Sequence, residues 1–552
     1  MNGQFSPDER ARLAPYFTDL DGPVFALVNL PEVVKGALFA RYSRSPKSLR
    51  RLFLDEFLGG GAPAPEPPGA DAGRARAEQL YERVFLDYGD DSVAQLGGVH
   101  LACEGASNLL TKVLEWGRLM AYLEQSTRYI PYDDRPGDRY RYHVPGELTG
   151  ALRERYVATL DTAFETYREW LPRVRAFYER RHPRPAGESE IVYRTTIRAK
   201  ALDTLRGLLP AATTSNVGIY GTGQAYEQLL LRMRAHPLAE VRAYADLMLR
   251  ELRKVIPAFL TRVDLPDRGS AWSTYLAETR GATRAVAAEV LASPAAEAAA
   301  RQAGPAPSEE VALTDFDPDG EVKVVAAALY SASSRSDREL QAIARALAPE
   351  QRTDVLRAYA GARKNRRHRP GRAFERTGYR FDVLADYGAF RDLQRHRLLT
   401  LEWQRLEPRH GWSMPEAVAE AGGADAWRRV MDACAGLHDA IEAAGLPEVA
   451  SYAVAMAYRV RFYMDMNARE AMHVIELRTT PQGHPAYRRI CQTMHRLIAE
   501  RAGHRAIAAA MIFADHSAVE LERLEAERAA ETRRGASSLG GGRRPPSMPH
   551  PR

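Results

Sequence analysis

Apolar residues recur at helical spacing over most of the chain. The stretch AYEQLLLRMRAHPLAEVRAYADLMLRELRKVI, residues 225–256, repeats apolar positions every three or four residues and is interrupted at Pro237. This spacing places apolar side chains on one face of an α-helix, and proline is disfavoured inside a helix. The stretch therefore predicts two helices divided near Pro237. Similar periodicity elsewhere predicts a fold rich in helix.

Four short apolar segments predict β-strands instead. They are PVFALVNL at 23–30, GVHLACEG at 98–105, EVKVVAAALY at 321–330 and YRFDVLAD at 379–386. Each is short, and glycine or polar residues lie beside it. With few strands and many long helices, the pattern predicts an α+β fold in which small sheets pack against long helices.

The order of predicted elements occurs twice. Asp21-Gly22 and Asp319-Gly320 open two similar stretches. Each half then has a short strand, a polar turn and a helix that leads to an arginine; the turns are Glu104-Gly105 and Asp386-Tyr387, and the arginines are Arg118 and Arg397. Each half ends with a long helix that closes on an arginine, Arg234 or Arg478. The repetition predicts two divergent copies of one α+β unit.

Composition shifts predict the domain boundaries. The segment GGGAPAPEPPGADAG, residues 59–73, has no periodicity and predicts a surface loop. A Pro/Ala-rich stretch around 292–311 predicts a linker, and the end of the chain lacks large apolar residues. We therefore predict domain 1 at 1–290, a linker at 291–312, domain 2 at 313–528 and a disordered tail at 529–552.

Composition limits the class of protein. A chain of 552 residues exceeds one ordinary core, which agrees with two domains. No apolar run approaches the roughly 20 residues that span a bilayer, and the N-terminus lacks the pattern of a signal peptide. The three cysteines have no CxxC spacing, so neither a disulfide framework nor a structural zinc site is expected. We predict a cytoplasmic protein that does not bind membranes.

Arginine supplies most of the positive charge, although the net charge is only +6. Arginine binds phosphate and carboxylate groups with two parallel hydrogen bonds, but genomic bias also produces arginine-rich chains. In LEQSTRYIPYDD, the side chains of Glu124, Ser126 and Arg128 alternate and would share one side of an extended segment. Such a set suits a polar, anionic ligand; a capped helix end or a surface ion pair is the alternative.

The second half contains two further polar groups of residues. Arg391 and Arg395 lie one helical turn apart, and His396-Arg397 follows them. These cations would be stabilised at a helix C-terminus, or they would hold a diphosphate. In MDMNAREAMHVIELR, polar residues at near-whole turns would share one helix face; they are Asn467, Arg469, His473 and Arg478. A half-solvated amphipathic helix is the alternative.

Taken in order, these motifs resemble the flavin-dependent thymidylate synthases (ThyX), whose signature is RHRxxSxNExSxRY. The signature is divided between the two copies. The first copy keeps ExSxRY at Glu124–Tyr129 but has Trp116-Gly117 where Arg-His is expected. The second copy keeps Arg395-His396-Arg397 and departs from the signature after Thr400. The resemblance implies two tandem ThyX-like domains.

The resemblance also implies the reaction and the partners. It implies methylation of dUMP to dTMP with methylenetetrahydrofolate and NADPH, with FAD as cofactor. Because the family assembles its active sites between subunits, a fused pair would keep a composite site, with nucleotide-binding groups from the first copy and flavin-binding groups from the second. We also expect a homo-oligomer, a dimer of two-copy chains that corresponds to the family's tetramer.

Individual roles follow from the matched positions. The residues implied to bind dUMP are Glu124, Ser126, Arg128 and Arg206, the last in the RGLLP segment. Those implied to bind FAD are Arg395, His396, Arg397, Asn467, Arg469 and His473. Arg478 and Arg234 are implied to be catalytic, because a guanidinium there would stabilise negative charge on the uracil ring.

Other functions remain open on the sequence alone. The departures from the signature leave open a catalytically inactive protein that binds flavin or nucleotide. The run RKNRRHRPGR, Arg363–Arg372, is basic, but no aromatic residues are interspersed in it, so we do not expect binding of nucleic acid. The histidines include neither an HxxxH spacing nor a spacing that pairs one with a carboxylate, so a metal hydrolase is not expected and we predict no metal site.

Overall fold

The computed structural model describes residues 5–42, 45–58, 95–303 and 310–521, together with 524, 527, 528, 531 and 532. The predicted loop at 59–73 lies outside the described residues, as does almost all of the predicted tail at 529–552. In the part of the chain that the structure describes, no helix is both long enough and apolar enough to cross a membrane.

The described chain is predominantly helical. In the first half the α-helices are α1 Pro7–Leu13, α2 Glu32–Tyr42, α3 Leu49–Leu52, α4 Asn108–Leu114, α5 Gly150–Arg181, α6 Glu190–Leu205, α7 Gly223–Arg234, α8 Ala239–Leu252, α9 Ala271–Leu291 and α10 Pro294–Ala303. In the second half they are α11 Gly320–Tyr330, α12 Asp337–Ala346, α13 Pro349–Ala360, α14 Tyr387–Leu393, α15 Glu416–Glu420, α16 Ala424–Ala443, α17 Pro447–Ala450, α18 Ala468–Arg478, α19 Pro485–Glu500 and α20 Arg505–Ala509. The strands are β1 Gly98–Ser107, β2 Met120–Glu124, β3 Thr214–Thr222, β4 Val311–Phe316, β5 Gly378–Asp386, β6 Thr400–Trp403 and β7 Arg459–Asn467.

The strands form two small sheets with related strand orders. The first sheet has the order β1-β3-β2 and the second the order β4-β5-β7-β6. In the second sheet all neighbouring pairs are antiparallel. The late strand of each half, β3 or β7, lies inside its sheet and leads into a helix that ends on Arg234 or Arg478. The chain therefore combines many helices with small antiparallel sheets, and the tandem arrangement stays a prediction.

The chain forms two compact units that interleave in sequence. Unit 1 comprises Met1–Ala106, Leu110–Gln125 and Ser215–Ala303, and unit 2 comprises Ser107–Leu109, Ser126–Thr214 and Gly304–Arg552. Helices α5 and α6 come from the first half of the sequence and belong to unit 2. The boundaries 1–290, 291–312 and 313–528 describe the sequence repeat and stay a prediction.

Unit 2 has a core of helices and sheet. Helix α5 buries an apolar stripe that includes Tyr156, Leu160 and Phe164, spaced four residues apart, and it packs against α6 and α16. Strands β5 and β7 pair along their whole length, from Gly378 opposite Asn467 to Asp386 opposite Arg459. Helix α19 packs on this sheet. These contacts hold the ends of α6, α14 and α18 in one unit.

Several sequence-based predictions are confirmed. The stretch 225–256 forms α7 and α8, which end and begin on either side of Pro237. GVHLACEG lies in β1, and YRFDVLAD lies in β5.

Three others are wrong. EVKVVAAALY forms helix α11, because its alanines favour helix and its valines bury one side. PVFALVNL forms no strand. Leu27 makes an isolated antiparallel β-bridge with Phe17. The predicted turn at Glu104-Gly105 lies inside β1, where the strand continues past a left-handed Gly105 with φ of 68°.

Candidate active site

Three arginines surround one largely buried carboxylate in unit 2. Asp392 lies 3.5 Å from Arg206 Nη1, 3.8 Å from Arg395 Nη1 and 4.0 Å from Arg478 Nη1. Its side chain is 14% exposed. Burial raises the pKa of Asp392, but the charges of Arg395, Arg206 and Arg478 outweigh burial and hold it well below its usual range. Asp392 is therefore a carboxylate at neutral pH.

A fourth arginine, Arg128, completes the group and is held by a buried carboxylate of its own. Its Nε donates to both carboxylate oxygens of Asp203 at 2.7 and 2.8 Å. Its terminal nitrogens donate to the Gln482 carbonyl at 3.3 Å, and its backbone N–H donates to Ser126 Oγ at 3.2 Å. Burial opposes ionisation, yet Asp203 keeps the pKa of Arg128 above its ordinary value. The side chain is thus fixed in the charged state.

We call Arg128, Arg206, Arg395 and Arg478, together with Asp203 and Asp392, the arginine cluster. Four guanidiniums against two carboxylates leave an excess of positive charge inside unit 2. Guanidiniums in such a setting bind phosphate or carboxylate through charge-assisted hydrogen bonds. The cluster is therefore suited to an anion.

Helix ends position most of the cluster. Arg206 caps the C-terminus of α6, Arg395 follows the end of α14, and Arg478 is the last residue of α18. Cations at a helix C-terminus are stabilised by the helix dipole. Asp392 lies in the last turn of α14, so the carboxylate and its guanidinium neighbours meet where three helices end.

Arg478 is oriented by a histidine and an aromatic ring. Its Nε donates to His396 Nε2 at 2.9 Å, and its guanidinium carbon lies 5.4 Å from the centre of the Tyr487 ring. Burial, with the charge of Arg478, lowers the pKa of His396 well below its ordinary value. A neutral His396 can accept at Nε2 while Nδ1 carries the proton and faces Glu470 Oε1 at 3.6 Å. Burial raises the pKa of Glu470 to about 7.

The predicted FAD-binding residues lie around the first turns of α18 and the end of α14. The His396 and His473 ring centres are 5.5 Å apart, and Arg369 Nη2 lies 3.2 Å from His473 Nδ1. Burial and Arg369 lower the pKa of His473 to about 4. The structure thus brings both predicted histidines together beside an arginine that the sequence analysis did not select.

The other predicted FAD-binding residues have contacts within the fold. Asn467 Oδ1 accepts the Glu470 backbone N–H at 2.9 Å and so caps α18. Arg469 donates to the Pro370 carbonyl at 2.9 Å and to Glu375 at 3.1 Å. Arg397 is exposed. Their cofactor-binding roles stay predictions.

His396, Glu470 and His473 also have the composition of a metal site. One ligand atom from each lies within 4.8 Å of the others. The prediction that no histidine is paired with a carboxylate at helical spacing is wrong, because Glu470 and His473 lie three residues apart on α18. Guanidiniums lie against both imidazoles, from Arg478 and from Arg369, and their charge opposes a divalent cation. The prediction of no metal stays a prediction.

Two predicted residues lie in unit 1 with partners of their own. Glu124 Oε2 lies 3.3 Å from Lys112 Nζ, and both side chains are buried. Arg234 Nη2 donates to Asp246 at 2.8 Å, and its Nη1 donates to the Val263 carbonyl at 3.4 Å. The roles of Glu124 in dUMP binding and of Arg234 in catalysis stay predictions.

Asp203 and Asp392 are the main residues that the sequence analysis missed. Each stands three residues before a selected arginine, as Asp203-x-x-Arg206 and Asp392-x-x-Arg395. For Asp392 that spacing was a usable signal, since residues three apart on a helix are neighbours and Arg395 lies 3.8 Å away. Asp203 pairs instead with Arg128, which no local spacing indicates. The basic run also contains a structural residue, because Arg363 pairs with buried Glu476 at 2.6 Å.

Known proteins resemble this chain over most of its length. The family profile described as "Thymidylate synthase complementing protein" matches residues 51–258 and 312–502. A UPF0159 protein of Chlamydia muridarum (strain MoPn / Nigg) is 38% identical over 531 residues, covering 95% of this chain and 98% of the relative. A UPF0159 protein of Thermoplasma acidophilum is 29% identical over 520 residues, covering 89% of this chain and 97% of the relative.

More distant matches cover about a third of the chain. A flavin-dependent thymidylate synthase of Mycobacterium sp. (strain KMS) is 29% identical over 189 residues, covering 34% of this chain and 70% of the enzyme. A solved UMP/dUMP methylase from Streptomyces cacaoi, bound with 5-Br dUMP, is 19% identical with a TM-score of 0.29. It covers 36% of this chain and 94% of its own, and a score this low does not establish a shared fold.

Proposed function

Because the chain belongs to the thymidylate synthase complementing protein family, we propose that it methylates dUMP to dTMP through a composite site in unit 2. The carbon donor is methylenetetrahydrofolate, the reductant is NADPH, and the cofactor is FAD. The observation that carries the proposal is the arginine cluster. Arg128 and Arg206 come from the first half of the sequence, and Arg395 and Arg478 come from the second. Arg128 pairs with Asp203, and the other three lie within 4.0 Å of Asp392.

The cluster supplies the electrostatics that the substrate requires. Arg128 and Arg206 bind the phosphate or pyrimidine oxygens of dUMP, with Ser126 beside them. Arg478 donates to the uracil ring and stabilises negative charge that develops at N3 and O2 during methylation. His396 accepts from Arg478 Nε, and Arg478 Nη1 lies 4.0 Å from Asp392. Asp203 and Asp392 hold the guanidiniums in place before the substrate arrives.

The residues that would hold FAD are those on the α14 and α18 side of the cluster. Arg395 and Arg397 would hold the diphosphate, His396 would contact the isoalloxazine region, and Asn467, Arg469 and His473 would line the remainder. The guanidiniums of Arg395 and Arg397 are donors of the kind that fits a diphosphate. When bound and reduced by NADPH, the flavin supplies hydride transfer and mediates transfer of the methylene group.

The expected assembly follows from the two-copy chain. A dimer would contain four ThyX-like domains, as the family's tetramer does. The predicted cytoplasmic location agrees with a nucleotide substrate.

The test is formation of dTMP from dUMP, methylenetetrahydrofolate, NADPH and FAD. We expect activity in the unchanged chain and its loss in both Arg128→Gln and Arg395→Gln, because each removes a guanidinium from the same site. The control is Arg135→Gln, since Arg135 and its partner Glu165 are 40% and 51% exposed. Full activity in either cluster variant would contradict a composite site.

A catalytically inactive flavin- or nucleotide-binding protein is the second candidate. Asp392 favours it, because this carboxylate already neutralises part of the charge that a phosphate would meet. Purified protein whose bound flavin changes its spectrum on addition of dUMP, yet yields no dTMP, would establish this function instead.

A further inference from the structure

Helix α9 in unit 1 exposes large apolar side chains along its whole length. All 21 residues of α9 are described, and none of them is buried. Trp272 is 54% exposed, Tyr275 61%, Val286 58% and Val290 54%. Apolar surface is costly to leave in water, and a contiguous exposed patch of it marks a site of interaction. The exposed side of α9 therefore calls for a partner.

Another side of α9 is anchored to unit 1 at the end of α7. Ser273 Oγ donates to the Leu231 carbonyl at 3.2 Å, and Arg280 Nη1 donates to the Ala235 carbonyl at 2.7 Å. Ser273, Leu276 and Arg280 are half-buried on this side. The helix lies between the two regions that match the family profile. Since α9 is held by this side alone, its apolar side has a fixed orientation toward a partner.

The spacing of the apolar side indicates what kind of partner fits it. Six exposed residues, which we call the α9 stripe, lie on this side: Trp272, Tyr275, Thr279, Ala282, Val286 and Val290. They follow one another at intervals of three or four residues, and none of them carries a charge. Alternating intervals of three and four give the 3.5-residue period with which one helix packs along another. The partner surface is therefore an apolar helix.

The α9 stripe is also nearly symmetric about residue 281. Trp272 lies nine residues before this point and Val290 nine after it, while Tyr275 lies six before it and Val286 five after it. Two α9 helices that run antiparallel about this point would set each aromatic ring against a valine of the other copy. A parallel pair would set tryptophan against tryptophan. Large side chains pack best against smaller ones, so the stripe complements a second, antiparallel copy of itself.

We propose that the α9 stripe is an interface between two copies of this chain, paired antiparallel about residue 281. The stripe presents roughly 500 Å² of apolar surface per copy, so a pair buries about 1,000 Å², the lower limit of a specific interface. Both copies use the same surface, and the assembly closes at two, as most homo-oligomers do. The inference rests on the dimer expected under the proposed function and gives that dimer a surface.

Sedimentation velocity of the full chain over a micromolar concentration series tests the proposal. We expect the unchanged chain to dimerise, and Trp272→Glu and Val286→Glu each to raise the dissociation constant at least about tenfold, because each variant places two charges in an apolar interface. Ala277→Glu is the matched control, since Ala277 is exposed on the opposite side of α9. Thermal melting verifies that each variant folds.

A charge exchange tests the antiparallel arrangement. Trp272→Glu combined with Val290→Lys sets each new carboxylate opposite a new ammonium of the other copy. Within one copy the two positions are about five helical turns apart and cannot pair. The double variant should therefore dimerise about tenfold more tightly than Trp272→Glu alone. If it dimerises no more tightly, the antiparallel arrangement is overturned.

The remaining outcomes separate this surface from the dimer itself. A dimer that neither Trp272→Glu nor Val286→Glu weakens would overturn the proposal, because the copies then associate through another surface. An equal loss in Ala277→Glu would also overturn it. A monomeric unchanged chain would contradict both the surface and the expected dimer. Sedimentation requires no turnover, so failure to form dTMP would contradict the proposed reaction and leave this interface standing.

Discussion

Helices α7 and α18 occupy corresponding places in the two halves, yet the arginines that end them have different surroundings. Arg234 is 25% exposed, and its partner Asp246 is 66% exposed. Arg478 accompanies buried His396 and the largely buried Asp392. The same position in the sequence repeat thus yields a surface ion pair in unit 1 and a member of a desolvated cluster in unit 2.

The difference lies in the neighbours rather than in the arginines. An exposed ion pair contributes about 0–1 kcal/mol, because water screens the charges. A buried group of charges is costly to assemble and strongly perturbs pKa values, and such groups concentrate at functional sites. We therefore assign the proposed chemistry to Arg478 rather than to Arg234, although each half of the sequence keeps an arginine at the end of this helix.

The largest effect on activity should come from replacing Arg478, and replacing Arg234 should have little effect. Arg478→Gln should lower the rate of dTMP formation about 10²- to 10³-fold, because a donor to the developing charge is lost. Arg234→Gln should stay within about threefold of the unchanged chain, since it removes one surface pair. Initial rates at saturating substrate, with thermal melting to verify folding, measure both. Equal losses in the two variants would instead indicate that the first half keeps a functional site.

Replacing the carboxylate partner of each arginine tests the same difference between the units through the free energy of unfolding. Asp392→Asn leaves several guanidiniums without their buried counter-ion and should lower the free energy of unfolding by about 3 kcal/mol. Asp246→Asn removes an exposed partner and should cost less than about 1 kcal/mol. Urea unfolding followed by circular dichroism measures both. A cost for Asp246→Asn as large as that for Asp392→Asn would contradict the difference in solvation.

The sequence predicts the cationic side of the cluster better than the anionic side. The motif order selects Arg128, Arg206, Arg395 and Arg478, because each belongs to a recognisable string. It does not pair Arg128 with Asp203, since the two are 75 residues apart and meet only after α5 and α6 fold. A motif specifies residue types at fixed spacing, whereas a buried counter-ion is defined by tertiary packing.

Prediction of the fold depends on how clearly the pattern of a segment distinguishes a helix from a strand. The long periodic stretch of α7 and α8 is predictable because its pattern excludes a strand. The segment that forms α11 is not, because a short Val- and Ala-rich run suits either element until its neighbours are known. The assignment of α5 and α6 to unit 2 is not predictable from composition, since a Pro- and Gly-containing segment such as 125–149, which precedes α5, is equally typical of a loop inside one domain.

The smallest expected effect concerns histidines, one in each unit. Burial, together with nearby arginines, lowers the pKa of His473 to about 4 and that of His236 to about 3, from an ordinary value of 6.5. Because each folded-state pKa lies below the unfolded value, the stabilisation is complete above pH 6.5 and is lost as the pH falls toward 4 for His473 and toward 3 for His236.

His473→Gln and His236→Gln should each reduce the loss of unfolding free energy between pH 7 and 5 by about 1 kcal/mol. This value lies below the full linkage value because neither ring is completely buried. The double variant should reduce the loss by the sum, since the residues belong to different compact units. Urea unfolding across this pH range measures all three variants. If only His473→Gln reduced the dependence of the unfolding free energy on pH, the loss of stability in acid would be a property of the α18 region. The difference between the units would then extend beyond their arginines.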